Sequence, residues 1–178
     1  GITIVQLRKN RIVIATLLAK AGQGLPDDIV RVIKKVTGKN SFWVGTQEGG
    51  IALLRLNSIE RPLWVNKSDR WQWGQVNDIL PVSDTTAWVA TESGYLLHVT
   101  VAKDSLIISP ENIGKSIRKM VLGSTGTIWC TTQDGLTMVT AEFVSCIKLT
   151  APYSLTNLTA MLCDSNNMLW FAEGESLY

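Results

Sequence analysis

The sequence holds one histidine, three cysteines and charged side chains at only 18% of its positions. Each scarcity excludes something. His98 stands alone, with no serine or cysteine nucleophile and base patterned around it, so the usual signature of covalent catalysis is missing. There is no GxSxG, HExxH, P-loop or calcium-loop motif to indicate hydrolytic, nucleotide or metal chemistry. The expectation is a non-enzymatic segment with no cofactor and no metal. No CxxC pair occurs, and Cys130, Cys146 and Cys163 lie in apolar or alternating stretches. They read as buried small hydrophobes ahead of a disulfide or metal set. The formal net charge is +2 and the basic residues are scattered along the chain. That gives no electrostatic case for nucleic acid or an anionic membrane surface. The run Ile12 to Ala19, broken by Thr16, is among the longest apolar stretches and falls far short of the ~20 residues of a membrane-spanning helix. The chain begins at Gly1 and shows no leader pattern, so the native start is expected to lie elsewhere.

What is present is a repeat. Hydrophobic residues make up 46% of 178 positions, enough for a folded domain with its own core. Trp43, Trp88, Trp129 and Trp170 are spaced 45, 41 and 41 residues apart. A fixed period of about 40 to 45 residues is that of a β-propeller blade. In the first three copies a threonine follows three residues after the tryptophan (Thr46, Thr91, Thr132) and a glycine six after it (Gly49, Gly94, Gly135). Polar pairs precede those glycines and apolar residues resume after them, which predicts strand, tight turn, strand. The fourth copy departs, with Glu173 in place of the threonine and Gly174 two positions early.

A second apolar segment precedes each tryptophan: Val30 to Ile33, Val76 to Ile79, Ile117 to Met120 and Leu158 to Met161. A turn-forming polar cluster follows every one. The spacing of Val76, Ile79 and Leu80 also allows a short helix. Strands buried on both faces between neighbouring blades carry such runs equally well.

The expected fold is therefore all-β, a β-propeller of four-stranded antiparallel blades, with about four blades' worth in this chain. Residues 1–18 read as the second half of a blade, 29–65, 76–109 and 117–149 as full blades, and 158–178 as a first half. Strands are expected near 30–36, 42–46, 51–57 and 60–65, then 76–82, 87–91, 95–101 and 105–109. The next set is 117–122, 127–132, 136–140 and 143–149, followed by 158–163 and 168–172. Either the terminal strands pair and close a four-bladed ring, or the chain is part of a larger one. The larger ring is preferred, because four blades is the low end of the range.

The repeated tryptophans are expected as core wedges between blades, and the repeated threonines as structural hydrogen-bonders. The connector Asn66 to Gln75 differs. It carries Trp71 and Trp73 in a polar loop, in one copy only. Aromatic faces flanked by amides suit a sugar ring or a partner protein, although a plug packed onto the neighbouring blade is the competing reading. Connectors and post-tryptophan turns of a propeller share one rim. That rim would gather Trp71, Trp73, Glu48, Glu92, Asp134 and Tyr153, with Asp27 and Asp28 beside them, into a ligand-binding face. A solvated acidic rim is the alternative.

The pattern apolar-Trp-apolar-x-Thr-x-x-Gly, preceded by Leu25-Pro-Asp-Asp-Ile-Val30 and Ile33 in the first copy, resembles the two-component regulator propeller repeat. The resemblance covers nearly the whole chain. It implies blades of the periplasmic sensor region of bacterial hybrid two-component histidine kinases. There such blades often form large rings, and known ligands include oligosaccharides. It carries over no catalytic residue, and any kinase output would lie outside this segment. The expected partners are a small polar ligand such as an oligosaccharide, or another protein, and the propeller could form a homodimer. The expected location is the periplasmic or extracellular side of an inner-membrane receptor. A scaffold in a surface or secretion complex is the first alternative. A propeller lyase is the second, because such enzymes share Leu-Trp-Phe blades like Leu169 to Phe171.

Overall fold

The computed structural model describes residues 1–9, 11–17, 24–58, 61–65, 71–140, 144–147, 158–173 and 176–177. Every regular element among them is a strand. The first two are β1 (Ile2–Arg8) and β2 (Arg11–Leu17). The next sheet holds β3 (Val30–Lys35), β4 (Ser41–Thr46), β5 (Ile51–Ser58) and β6 (Arg61–Val65). Then come β7 (Val76–Pro81), β8 (Thr86–Thr91), β9 (Tyr95–Ala102) and β10 (Ser105–Asn112). They are followed by β11 (Ile117–Leu122), β12 (Ile128–Thr132), β13 (Gly135–Val139) and β14 (Val144–Ile147). The last are β15 (Leu158–Cys163), β16 (Leu169–Glu173) and β17 (Ser176–Leu177). The apolar spacing of Val76, Ile79 and Leu80 is thus strand, not helix. The short strand β17 is an addition to the two strands expected after residue 157.

The strands form sequential antiparallel meanders: β1–β2, three four-stranded sheets, and β15–β16–β17. Among the described residues the first and last sheets do not pair with each other. The sheets pack face to face. Strand β7 lies against β3 and β4 on one side and β11 on the other, and β11 lies against β15. The first strands of these four sheets, β3, β7, β11 and β15, therefore neighbour one another as inner strands about a common axis.

The core sits between sheets, and the repeated tryptophans show how. Trp43 is fully buried, packed with Ile79, Val89, Leu97 and Val99 of the following sheet. Its indole Nε1 donates to Ser83 O at 3.3 Å, again in that sheet. Trp88 packs with Ile117 and Met120 of the third four-stranded sheet, and Trp129 with Met161, Leu169 and Phe171 of the last sheet. Trp170 differs from the core role expected of it. It is 43% exposed and donates to Asp164 Oδ2 of its own turn at 2.9 Å. No following sheet is described for it to enter.

The threonines hold the turns. Thr46 Oγ1 donates to Gly50 O at 2.8 Å, Thr91 Oγ1 to Tyr95 O at 2.9 Å and Thr132 Oγ1 to Gly135 O at 3.1 Å. Gly94 and Gly135 take the positive φ expected of them, but in the first copy Gly50 rather than Gly49 does so. Gly49 is instead pressed against Pro26 and Asp27.

One buried charge links three sheets. Asp78, on β7, is 1% exposed. Met120 N donates to its Oδ2 at 2.9 Å, and Lys34 Nζ lies 3.1 Å from its Oδ1. The lysine contact is an ion pair without the alignment of a hydrogen bond, since Oδ1 has no hydrogen-bond partner. Cys130 is buried nearby, its thiol pushed up to about 12 by desolvation first and the Asp78 charge second. A thiol this hard to ionise is inert, in keeping with the core role read from the sequence. Cys163 is a half-buried free thiol, and the side chain of Cys146 lies outside those described.

Candidate functional site

The rim is built from tight turns seated on inter-sheet connectors. In the first four-stranded sheet Asp27 organises the seat. Its Oδ1 accepts from Ile29 N at 3.1 Å and its Oδ2 from Glu48 N at 3.0 Å. Burial acts to raise the Asp27 pKa, and the amides of Glu48, Ile29, Gly49 and Asp28 outweigh it, leaving the carboxyl below its usual value. Trp71 closes the same turn from above. A Cβ on Gly50 would come 2.4 Å from the Trp71 ring, so glycine is required there for contact as well as for its φ of 85°.

The aromatic pair is packed as a unit. Trp71 and Trp73 meet edge to face, with ring centroids 5.1 Å apart, and both are partly buried against the core between the first two full sheets. Trp71 Nε1 donates to Gly74 O at 2.6 Å. The loop is locked to the next turn by Ser93 Oγ donating to Trp73 O, and by Glu92 N donating to Gln75 O at 2.9 Å. Part of the Trp71 ring is thus covered by the turn beneath it.

Glu92 is exposed but not loose. Its Oε2 accepts from Asn77 Nδ2 at 2.8 Å and from Ser116 Oγ at 3.0 Å. These two bonds hold its carboxyl below the usual range, against desolvation and with help from the charges of Arg118 and Arg31. Asn77 Nδ2 also donates to Ile117 O at 2.9 Å, tying the second full sheet to the third. Asp134 pairs with Lys115 Nζ at 2.7 Å, both side chains about half exposed, a contact worth at most ~1 kcal/mol.

Trp71, Trp73, Glu48, Glu92 and Asp134 accordingly lie along one rim. Trp71 meets Trp73, and the segment from Trp73 to Gln75 is bonded to the Glu92 turn. Glu48 lies one sheet to one side, and Asp134 one sheet to the other through Lys115. Tyr153 lies outside the described residues. The sequence reading missed Asn77, Ser116, Arg31 and Arg118. One signal was available: Arg31, Asn77 and Arg118 fill the same repeat position, directly after the apolar residue that opens the second segment of each copy.

A pH test of this network follows. Glu92 has its pKa lowered on folding, so its bonds stabilise the protein above the carboxyl's ordinary value of 4.5 and are lost as pH falls through the lower folded value. Glu92→Gln should therefore lower Tm at neutral pH, with the gap to the parent narrowing below that value. An equal gap at both pH values would remove the carboxylate from this role.

His98 lies mid-strand on β9, opposite Trp88 in register, with the two rings tilted by 46° and their centroids 4.6 Å apart.

No protein-family model matches the sequence, and no curated protein matches it significantly in sequence. Solved structures do match in fold. The extracellular domain of BT4673 from B. thetaiotaomicron has been described both as that of a candidate one-component and of a candidate hybrid two-component system. It superposes with TM-score 0.72 at 20% identity over 99% of this chain and 24% of its own. The extracellular domain of BT3049 from the same organism, a candidate hybrid two-component system, gives 0.61 at 20% identity over 98% of this chain and 22% of its own. Virginiamycin B lyase from Staphylococcus aureus gives 0.62 at 19% identity over 81% of this chain and 48% of its own. The fold is a β-propeller array of four-stranded antiparallel blades, similar to the extracellular domains of candidate two-component receptors. The chain spans about a quarter of the length of the first of these and about half that of the lyase.

Proposed function

We propose that this chain is part of the extracytoplasmic ligand-sensing propeller of a bacterial two-component receptor, facing the periplasm or cell exterior, with the histidine-kinase output outside this segment. The observation that carries the reading is the whole-chain likeness to the BT4673 extracellular domain. The ligand is a small polar molecule such as an oligosaccharide, met at the rim of Trp71, Trp73, Glu48, Glu92, Asp134 and Tyr153.

The blades belong to a larger ring in this reading. Two exposed apolar faces support that. Val5, Leu7, Ile12 and Ile14 are exposed on one face of β1–β2, and Leu162 and Trp170 on the sheet of β15 and β16. These are the surfaces on which neighbouring blades pack elsewhere in the chain, and apolar patches of this kind call for a partner. Through such a ring, or a homodimer of it, ligand binding would alter blade or subunit packing and pass to the membrane.

The test is thermal unfolding against a panel of oligosaccharides. Binding to the native state stabilises by mass action, about 2.7 kcal/mol at a hundredfold excess over Kd. A rise in Tm that disappears in Trp71→Ala or Trp73→Ala supports the site. A rise untouched by both changes moves the site elsewhere. No rise with any member of the panel overturns small-ligand sensing. The partly covered ring of Trp71 favours a second reading, in which the rim meets a protein and the propeller is a scaffold. That reading predicts a stoichiometric partner in pull-downs and no saccharide effect.

A further inference from the structure

The four inner strands share a defect. The registers of β3, β7, β11 and β15 shift between Val30 and Val32, Val76 and Asp78, Ile117 and Lys119, and Leu158 and Ala160. The residue between has no cross-strand partner. A bulge of this kind takes one residue out of the ladder and re-aims its side chain. On three of the strands that residue is Arg31, Asn77 or Arg118.

Asn77 shows where the position points. Its amide reaches Ile117 O on the next inner strand and Glu92 on the rim turn. Arg31 and Arg118 occupy the same position on the strands to either side, and both are exposed. Among the described residues neither makes a salt bridge, and both are close enough for their charges to act on Glu92.

The charge balance points the same way. The inner strands carry Arg31, Lys34, Lys35, Arg118 and Lys119 against one acid, Asp78. That acid is buried and already paired with Lys34. The whole chain has a formal net charge of only +2, so the cationic excess is concentrated near the axis and the remainder is net acidic. Beside Asn77 the two guanidiniums act on one carboxylate, Glu92, while Glu48 and Asp134 lie a sheet away along the rim. Guanidinium forks match planar carboxylate and tetrahedral sulfate oxygens in pairs, which a lysine ammonium does not.

We propose that Arg31 and Arg118, set to either side of Asn77, form an anion-binding subsite at the mouth of the axis, and that the ligand is an acidic oligosaccharide whose carboxylate or sulfate group seats there. This rests on the sensing function above and narrows it to a ligand class. The polar rim would meet the hydroxyls, and the two guanidiniums the charged group.

The test is calorimetric titration of the 178-residue chain with trigalacturonate, a sulfated chondroitin disaccharide, neutral galactotriose and inorganic sulfate, at low and at physiological salt. At least one acidic saccharide should bind, and which one identifies the group as carboxylate or sulfate. Its affinity should fall with salt, and by about tenfold or more in the Arg31→Gln/Arg118→Gln variant, since each guanidinium removed takes a charge-assisted hydrogen bond with it. The variant's circular dichroism and Tm should match the parent. If they do not, the salt dependence of the parent decides.

Galactotriose binding as tightly as the acidic saccharides, or an unchanged variant, overturns the subsite and leaves saccharide sensing standing. Inorganic sulfate binding alone means an adventitious ion only, and also overturns it. Binding by none of the four overturns the subsite, while the sensing function is then decided by the wider panel and its Trp71 and Trp73 variants.

Discussion

Trp43→Ala is expected to lower the unfolding free energy by about 3–5 kcal/mol, the range for truncating a buried aromatic residue. Trp43 has no exposed surface and is enclosed by residues of two sheets. Its loss would leave a cavity at the sheet–sheet junction and strand Ser83 O, which now accepts from its indole. The same change at Trp170 should cost about 1 kcal/mol or less, because that ring is 43% exposed and bonds within its own turn. Urea unfolding followed by circular dichroism compares the two directly. The residues occupy one position of the repeat, so the contrast isolates the contribution of the following sheet. Equal losses would show that these tryptophans act within their own sheets and do not wedge between neighbours.

Gly45→Val should cost about 3 kcal/mol, the upper end of overpacking penalties. Gly45 is buried mid-strand on β4, where the first full sheet touches the inner strand of the second. Even a bare Cβ there would come 2.4 Å from Val76 Cγ1 and 2.7 Å from Val32 Cγ1. Its backbone is not in the left-handed region, so the cost is purely steric. That makes it separable: shortening the obstructing side chain by Val76→Ala should recover part of the loss. A double-mutant cycle measures the recovery, because neighbours in contact couple by about 0.5–3 kcal/mol. A coupling of zero would mean that the two sheets do not meet at this point.

Local chemistry carried most of the fold into the sequence. The strand of Trp43, the hydroxyl of Thr46 and the nearby glycines are one self-contained hairpin. Strand, side chain and turn lie within eleven residues of each other, so their pattern is readable without knowing what packs on them. Repetition then supplied the architecture, since a unit that cannot bury its apolar faces alone must stack. Composition does not reveal how the stack treats each copy. Four equivalent tryptophans differ from fully buried to nearly half exposed because burial depends on the sheet that follows.

The rim was partly legible for the same reason. Glu48, Glu92 and Asp134 sit in turns whose position follows from the repeat, whereas their bonding does not. Glu92 is fixed by Asn77 and Ser116, which come from different segments. The Trp71–Trp73 loop stood out by composition, but only the packing over Gly50 shows that part of its aromatic surface is already covered.

The period, the strands, the threonine-locked turns and the interlocking tryptophan at each junction depend on neighbours within one repeat, so the order of residues was enough to specify them. Where charge collects depends on how the repeats are arranged in space. Arg31 and Arg118 are 87 residues apart in a chain whose basic residues look scattered. A bulge at the same point of each inner strand, and the stacking of those strands around one axis, bring them to either side of Asn77. Electrostatic fields add in space and take no account of sequence separation, so a stack of nearly neutral repeats becomes basic along its inner strands.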